Sequence, residues 1–309
     1  MAAPLRAPTV SGMTNDDVSQ THRTALGRLL LDRRTLLRAS GAAALATTFA
    51  VAGRPASASA ACEALVHQDG FATPSAGNWT ARIFDGASSP VGAGDVWGDQ
   101  TLFPPARYAI VPDPAGSGQP VMRFTVPADQ VSYRAEIARR QFALGRYRYG
   151  VSHYIPTDYV PFRYGTILAQ WHGYTLPDGR ATNPPLALLL NGAPTPVWEL
   201  HVYRLQPDLT TQLTRHTLPV PVQYGRWNDW TVDITWSTPS TPGRVIVTHG
   251  GTTVLDISGD NNYHQQWPPY FQTGIYRSSW RTGGYPAQPD LQIYHRGITV
   301  HDLTGCAAG

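Results

Sequence analysis

From residue 61 onward the chain never sustains the 3.6-residue periodicity of a helix. Short segments rich in β-branched and aromatic residues alternate instead with Gly, Pro, Asn and Asp. The clearest are Val121–Val126, Arg146–Ile155, Thr166–His172, Leu186–Leu190, Val197–Leu205, Trp230–Trp236, Arg244–His249, Thr253–Ile257, Tyr270–Tyr276 and Leu291–Val300. His249-Gly250-Gly251, between two apolar runs, reads as a hairpin turn. Strands of this length at this spacing predict an all-β fold, a single sandwich or jelly roll of two antiparallel sheets. No break in composition marks a second domain, so residues 61–309 are taken as one.

The first sixty residues follow another pattern. Asp32-Arg33-Arg34-Thr35-Leu36-Leu37-Arg38 is a twin-arginine sequence that leads into an apolar, alanine-rich run, Ala42 to Ala52. Ala58-Ser59-Ala60 then resembles a small-residue cleavage site. The run is shorter than the roughly twenty residues that a membrane-spanning helix needs. Residues 1–60 are therefore expected to be a twin-arginine export signal that is removed, leaving a secreted protein; a disordered basic tail is the alternative. The whole chain has 24 basic and 21 acidic residues. Seven arginines and three aspartates precede Ala61, so the remainder carries 17 and 18, a net −1. The basicity belongs to the signal, and nothing global favours nucleic acid or a membrane surface. The expected state is a monomer. Cys62 and Cys306, at opposite ends of the mature chain, suit one disulfide in an oxidising compartment. A lipid anchor on Cys62 is the rival reading.

Side chains alternate along a strand, and three segments gather polar groups on one face. Ser132, Arg134 and Glu136 oppose Tyr133, Ala135 and Ile137; Gln170 and His172 oppose Ile167, Ala169 and Trp171. Tyr270, Gln272, Gly274 and Tyr276 oppose Phe271, Thr273 and Ile275, and a fourth segment aligns Glu199, His201 and Tyr203. Each strand taken singly reads as the solvent face of an amphipathic sheet. Repeated His, Tyr, Gln and Arg, with nine tryptophans and fifteen tyrosines in the chain, point instead to a groove for sugar rings, whose C–H faces stack on aromatics. His153, in the aromatic segment Tyr147 to Tyr154, reads as a core or a groove residue.

Tyr133-Arg134-Ala135-Glu136-Ile137, Gln170-Trp171-His172 and Tyr270-Phe271-Gln272-Thr273-Gly274-Ile275-Tyr276-Arg277 occur in that order. They resemble the Arg-x-Glu, Gln-x-His and Tyr-Phe-Lys-x-Gly-x-Tyr motifs of jelly-roll polysaccharide lyases, the group of alginate lyases, glucuronan lyases and heparin lyase I. The resemblance implies two curved sheets, the concave one holding an anionic glycan, and β-elimination next to a uronate carboxylate. Removing the C5 proton of a uronate requires a donor that neutralises the carboxylate as charge develops on it. By resemblance that part falls to Gln170 and Arg134. Proton removal and protonation of the leaving oxygen fall to His172 and Tyr276. A tyrosine whose ordinary pKa is about 10 needs guanidinium charge beside it, from Arg134 or Arg277, to act as a base. Trp171, Tyr270, Gln272, Arg277, His201 and Tyr203 are the expected substrate contacts, and Glu136 is expected to orient Arg134.

The sequence departs from the family's pattern at Gln272, where alginate lyases carry lysine, and Tyr270 and Tyr276 share a face, leaving open which is catalytic. No cofactor is required for this chemistry. A structural calcium occurs in some relatives, and no His/Cys/Asp cluster has zinc-site spacing. Two other functions explain parts of the pattern. A non-catalytic carbohydrate-binding sandwich accounts for the aromatics but not for the convergence of Gln170, His172 and Tyr276. A glycoside hydrolase calls for paired carboxylates, and Glu63, Glu136 and Glu199 are the only glutamates after residue 60. Near-neutral charge argues for a carboxylate polymer over a densely sulfated one, with glucuronan or a related glucuronate glycan first and alginate second.

Overall fold

The computed structural model describes residues 62–72, 79, 81–85, 94–97, 105–139, 142–173, 182–206, 208, 210–263 and 268–306. Residues 1–60, expected to be an export signal, lie outside them. They form two antiparallel sheets, and among them the only helical element is the 3-10 turn Ser278–Trp280. Sheet I runs β14 (Thr252–Gly259), β13 (Gly243–His249), β12 (Arg226–Thr235), β7 (Arg146–Ile155), β16 (Leu291–Asp302), β5 (Pro120–Val126) and β4 (Tyr108–Pro112), with β1 (Ala64–Asp69) also paired to β16. Sheet II runs β11 (Thr211–Thr217), β10 (Val197–Leu205), β9 (Leu186–Asn191), β8 (Thr166–His172), β15 (Tyr270–Tyr276), β6 (Arg134–Arg139), β2 (Ala81–Asp85) and β3 (Gly94–Trp97). Every segment expected to be a strand is one, and the architecture is the two-sheet jelly roll that the alternation predicted.

The core between the sheets follows from that alternation. Along β7, Tyr147, Tyr149, Val151, His153 and Ile155 point inward and every intervening residue is more exposed. Trp198, Leu200 and Val202 of β10 and Phe271 and Ile275 of β15 meet them from sheet II. His153 is therefore a core residue, its ring against Trp198 and against the ring of His295. Gly250 and Gly251, with φ of 54° and 84°, make the β13–β14 turn. The strands not anticipated include β11 (TQLTRHT), an edge strand whose polar residues carry little apolar signal. Cys62 and Cys306 form a disulfide that ties the chain before β1 to the chain after β16, so Cys62 has no thiol left to lipidate.

One alternation fails locally. Ile167 pairs with Leu189 and Ala169 with Leu188, so Leu168 is an extra residue, a β-bulge. The bulge brings Leu168 into the core, while Ile167, expected on the same side as Ala169 and Trp171, is not part of it.

Candidate active site

The polar residues singled out above lie on neighbouring strands of sheet II. Register places Tyr270 opposite His172, Gln272 opposite Gln170, Gly274 opposite Glu136 and Tyr276 opposite Arg134. Because β15 lies between β8 and β6, Gln170 and Glu136 are two strands apart. They nevertheless meet: Gln170 Nε2 donates to Glu136 Oε1 at 2.6 Å. Gly274, on the strand between them, brings no side chain. Its φ of +140° is one that L side chains rarely adopt, and a Cβ there would collide with the Ala135 carbonyl oxygen and stand 2.7 Å from Glu136 Cα. Glycine is needed at this point of the motif for both reasons.

Glu136 joins two halves of the site. Its other oxygen, Oε2, accepts from Arg134 Nε at 3.1 Å and Nη2 at 3.0 Å. The Arg134 guanidinium in turn sits over the Tyr276 ring, 4.8 Å from its centroid. Since a carboxylate only accepts, the amide of Gln170 is oriented with its NH2 toward Glu136. At the other end, the His172 ring stacks on Tyr270 with centroids 5.3 Å apart. His172 Nδ1 lies 2.7 Å from the Gly173 carbonyl oxygen, so Nδ1 carries the proton and Nε2 bears the lone pair of the neutral ring. The Gln170–Gln272 pair thus separates His172 from Tyr276. Both glutamine Oε1 atoms are buried without a hydrogen-bond partner among the described residues.

Two expected substrate contacts lie elsewhere. Trp171 is fully buried and packs on Tyr149 and Phe271; its place in the alternation, opposite Gln170 and His172, turns it into the core. Arg277 is also fully buried. Its Nε donates to Thr166 Oγ1 at 2.9 Å and its Nη2 to the Tyr159 hydroxyl at 3.1 Å, and the guanidinium lies 4.8 Å from the centroid of Trp280. Burial lowers its pKa, with Tyr159 acting in the opposite direction. It follows Tyr276 in sequence and so points to the opposite side, where it holds loops in place. Gln272 is on the site face but almost fully buried, beneath rather than along the surface.

His201 and Tyr203 share that face on β10. His201 Nε2 lies 2.7 Å from Glu199 Oε2, which also accepts from Asn191 Nδ2 at 2.9 Å. Burial lowers the His201 pKa against the raising effect of Glu199, and burial raises that of Tyr203. Asn191 and the reach of Gln170 to Glu136 were not legible in the strand patterns, since both are contacts between strands. Among the described residues no three His, Cys, Asp or Glu side chains are grouped to hold a metal ion, and no chemistry is assigned to one. No helix among them is long and apolar enough to cross a membrane.

The fold is shared with solved polysaccharide-degrading enzymes. The endo-β-1,4-glucuronan lyase from the fungus Trichoderma reesei superposes with a TM-score of 0.53 at 16% identity, over 65% of this chain and 90% of that one. An alginate lyase from Pseudomonas aeruginosa gives 0.53 at 16% identity, over 72% and 98%. A family model described as polysaccharide lyase matches residues 85–299, and the chain belongs to that family. It is an enzyme, as the three motifs implied. No curated protein matches it.

Proposed function

We propose that the enzyme cleaves a uronate-containing polysaccharide by β-elimination, with Arg134, Gln170, His172 and Tyr276 at the reacting sugar. The observation that carries this reading is the Glu136-centred network, which holds an amide and a guanidinium together between a histidine and a tyrosine. Loss of the C5 proton puts negative charge on the adjoining carboxylate. Arg134 and the second N–H of the Gln170 amide are donors whose orientation Glu136 has already set, so they need little reorganisation as that charge grows. A base takes the C5 proton, the C4–O bond breaks with its electron pair leaving on the glycosidic oxygen, and an acid protonates that oxygen. The new C4–C5 double bond stays on the uronate end.

His172 Nε2 and the Tyr276 hydroxyl are the proton-transfer groups, one on each side of the carboxylate donors. The Arg134 guanidinium lies against the Tyr276 ring. It supplies the cation that Gln272, standing where alginate lyases have lysine, does not. Hydrolysis is disfavoured because Glu136, the carboxylate within the network, has both oxygens engaged.

Glucuronan or a related glucuronate polymer is the proposed substrate, with alginate second. The mature chain's net −1 suits a carboxylate polymer better than a sulfated one. The twin-arginine pattern and the disulfide both support export to an oxidising compartment. Incubation with glucuronan, alginate and a neutral glucan tests the reaction. Ultraviolet absorbance from unsaturated uronate ends should rise on a uronate polymer only. New reducing ends without absorbance would instead mark a hydrolase.

A further inference from the structure

One residue on the site face is an arginine that neither the motifs nor the chemistry above uses. Gln170 is in register with Ala187 on β9, Ala187 with His201 on β10, and His201 with Arg215 on β11. These residues make a straight row across the strands, with a small side chain in the middle. Arg215 is exposed. Glu199, two residues before His201 on the same strand, is engaged by His201 and Asn191. Among the described residues no acidic group pairs with Arg215, whose charge acts on the neighbouring His201 and Tyr203. A permanent cation beside an aromatic hydroxyl, aligned with the carboxylate donor of the reacting sugar, has the composition of a site for a second acidic sugar.

We propose that Arg215, with Tyr203 beside it, is a distal subsite that binds a uronate carboxylate further along the same polysaccharide. Three strand spacings separate it from Gln170, about 14 Å. That exceeds the reach of one pyranose ring, so Arg215 meets a different sugar from the one undergoing elimination. The glycan then runs across the strands, along the Gln170–Arg215 row. The inference rests on the lyase reading for the identity of its ligand, but binding can be measured without turnover.

Arg215→Gln and Arg215→Lys separate the possibilities, both at an exposed edge-strand position that leaves the core untouched. For Arg215→Gln, KM on glucuronan should rise about tenfold, as for one charge-assisted hydrogen bond, with the loss carried by KM rather than kcat. Arg215→Lys should recover part of it. Retardation of the protein in gels containing glucuronan should weaken in parallel, and its dependence on salt should become shallower. Oligosaccharides too short to reach β11 should be cleaved by the Gln variant as by the parent. Unchanged retardation and unchanged KM on the polymer would overturn the subsite while leaving the lyase reading intact. Retardation that depends on Arg215 without unsaturated products would keep the subsite and remove the lyase reading. Absence of both binding and cleavage in the parent protein on glucuronan and alginate would remove both.

Discussion

A buried carboxylate is expensive unless donors replace its water, and Glu136 meets that cost with Arg134 on one oxygen and Gln170 on the other. Its position on β6 could be read from alternation, and so could its role in orienting Arg134. Its hold on Gln170 could not, because the contact crosses β15 and depends on Gly274 carrying no side chain. The proton-transfer roles are tested at the same scale. Tyr276→Phe and His172→Ala should each lower kcat by about 10²- to 10⁴-fold, the range of one general acid or base. Circular dichroism and melting temperature should stay close to the parent's. Near-parental turnover in either variant would reject the assignment of that residue.

Arg277 and the buried histidines act through the elements they join. Arg277, at the end of β15, links β8 through Thr166 to the loop carrying Tyr159, so its removal takes a charged donor from two buried hydroxyls and leaves them only their mutual 3.3 Å hydrogen bond. Arg277→Ala is expected to lower unfolding free energy by about 2–4 kcal/mol. KM well below the melting temperature should stay near the parent's, whereas a raised KM with unchanged melting would return Arg277 to the substrate contacts. Between the sheets, His153 of β7 and His295 of β16 are fully buried. Desolvation pushes the His153 pKa down to about 3, with Asp229 opposing. The His295 pKa also falls, by burial and then by the neighbouring His153. Burial, then Arg139, lowers His67 to about 4. Folded-state values below the unfolded 6.5 mean that the unfolded chain binds protons first as pH falls. Stability is therefore whole above pH 6.5 and erodes from there toward pH 3, at up to about 1.4 kcal/mol per pH unit for each group. Denaturant titrations between pH 7 and 4 should show that slope, and His153→Leu should flatten it by about one proton. An identical slope in the variant would show that His153 is not among its sources.

For the molecule as a whole, the disulfide spans 244 residues and joins the chain just before β1 to the chain just after β16, both strands of sheet I. A loop of that length loses much unfolded-state entropy on closure, and native disulfides of this kind contribute about 2–5 kcal/mol. Cys306→Ser, or reduction of the parent, should lower the urea midpoint by a corresponding amount. Activity in the absence of urea should persist, because the proposed site is built on sheet II. A midpoint that does not respond to reductant would show that the bridge contributes no stability.

Strand content, the two-sheet class and the faces of β6, β8, β10 and β15 were determined by the sequence alone, because alternation is a local property of an extended backbone. The order of the three motifs carried the family in the same local way. Only the tertiary structure decided which polar groups meet. Registers and bulges belong to the whole sheet. They bring Gln170 to Glu136, move Leu168 into the core in place of Ile167, and line up Arg215 on an edge strand with almost no apolar signal. Trp171 and Arg277 look like site residues in a linear motif. Each faces the opposite side from the neighbour that made it conspicuous, Trp171 from Gln170 and His172, and Arg277 from Tyr276.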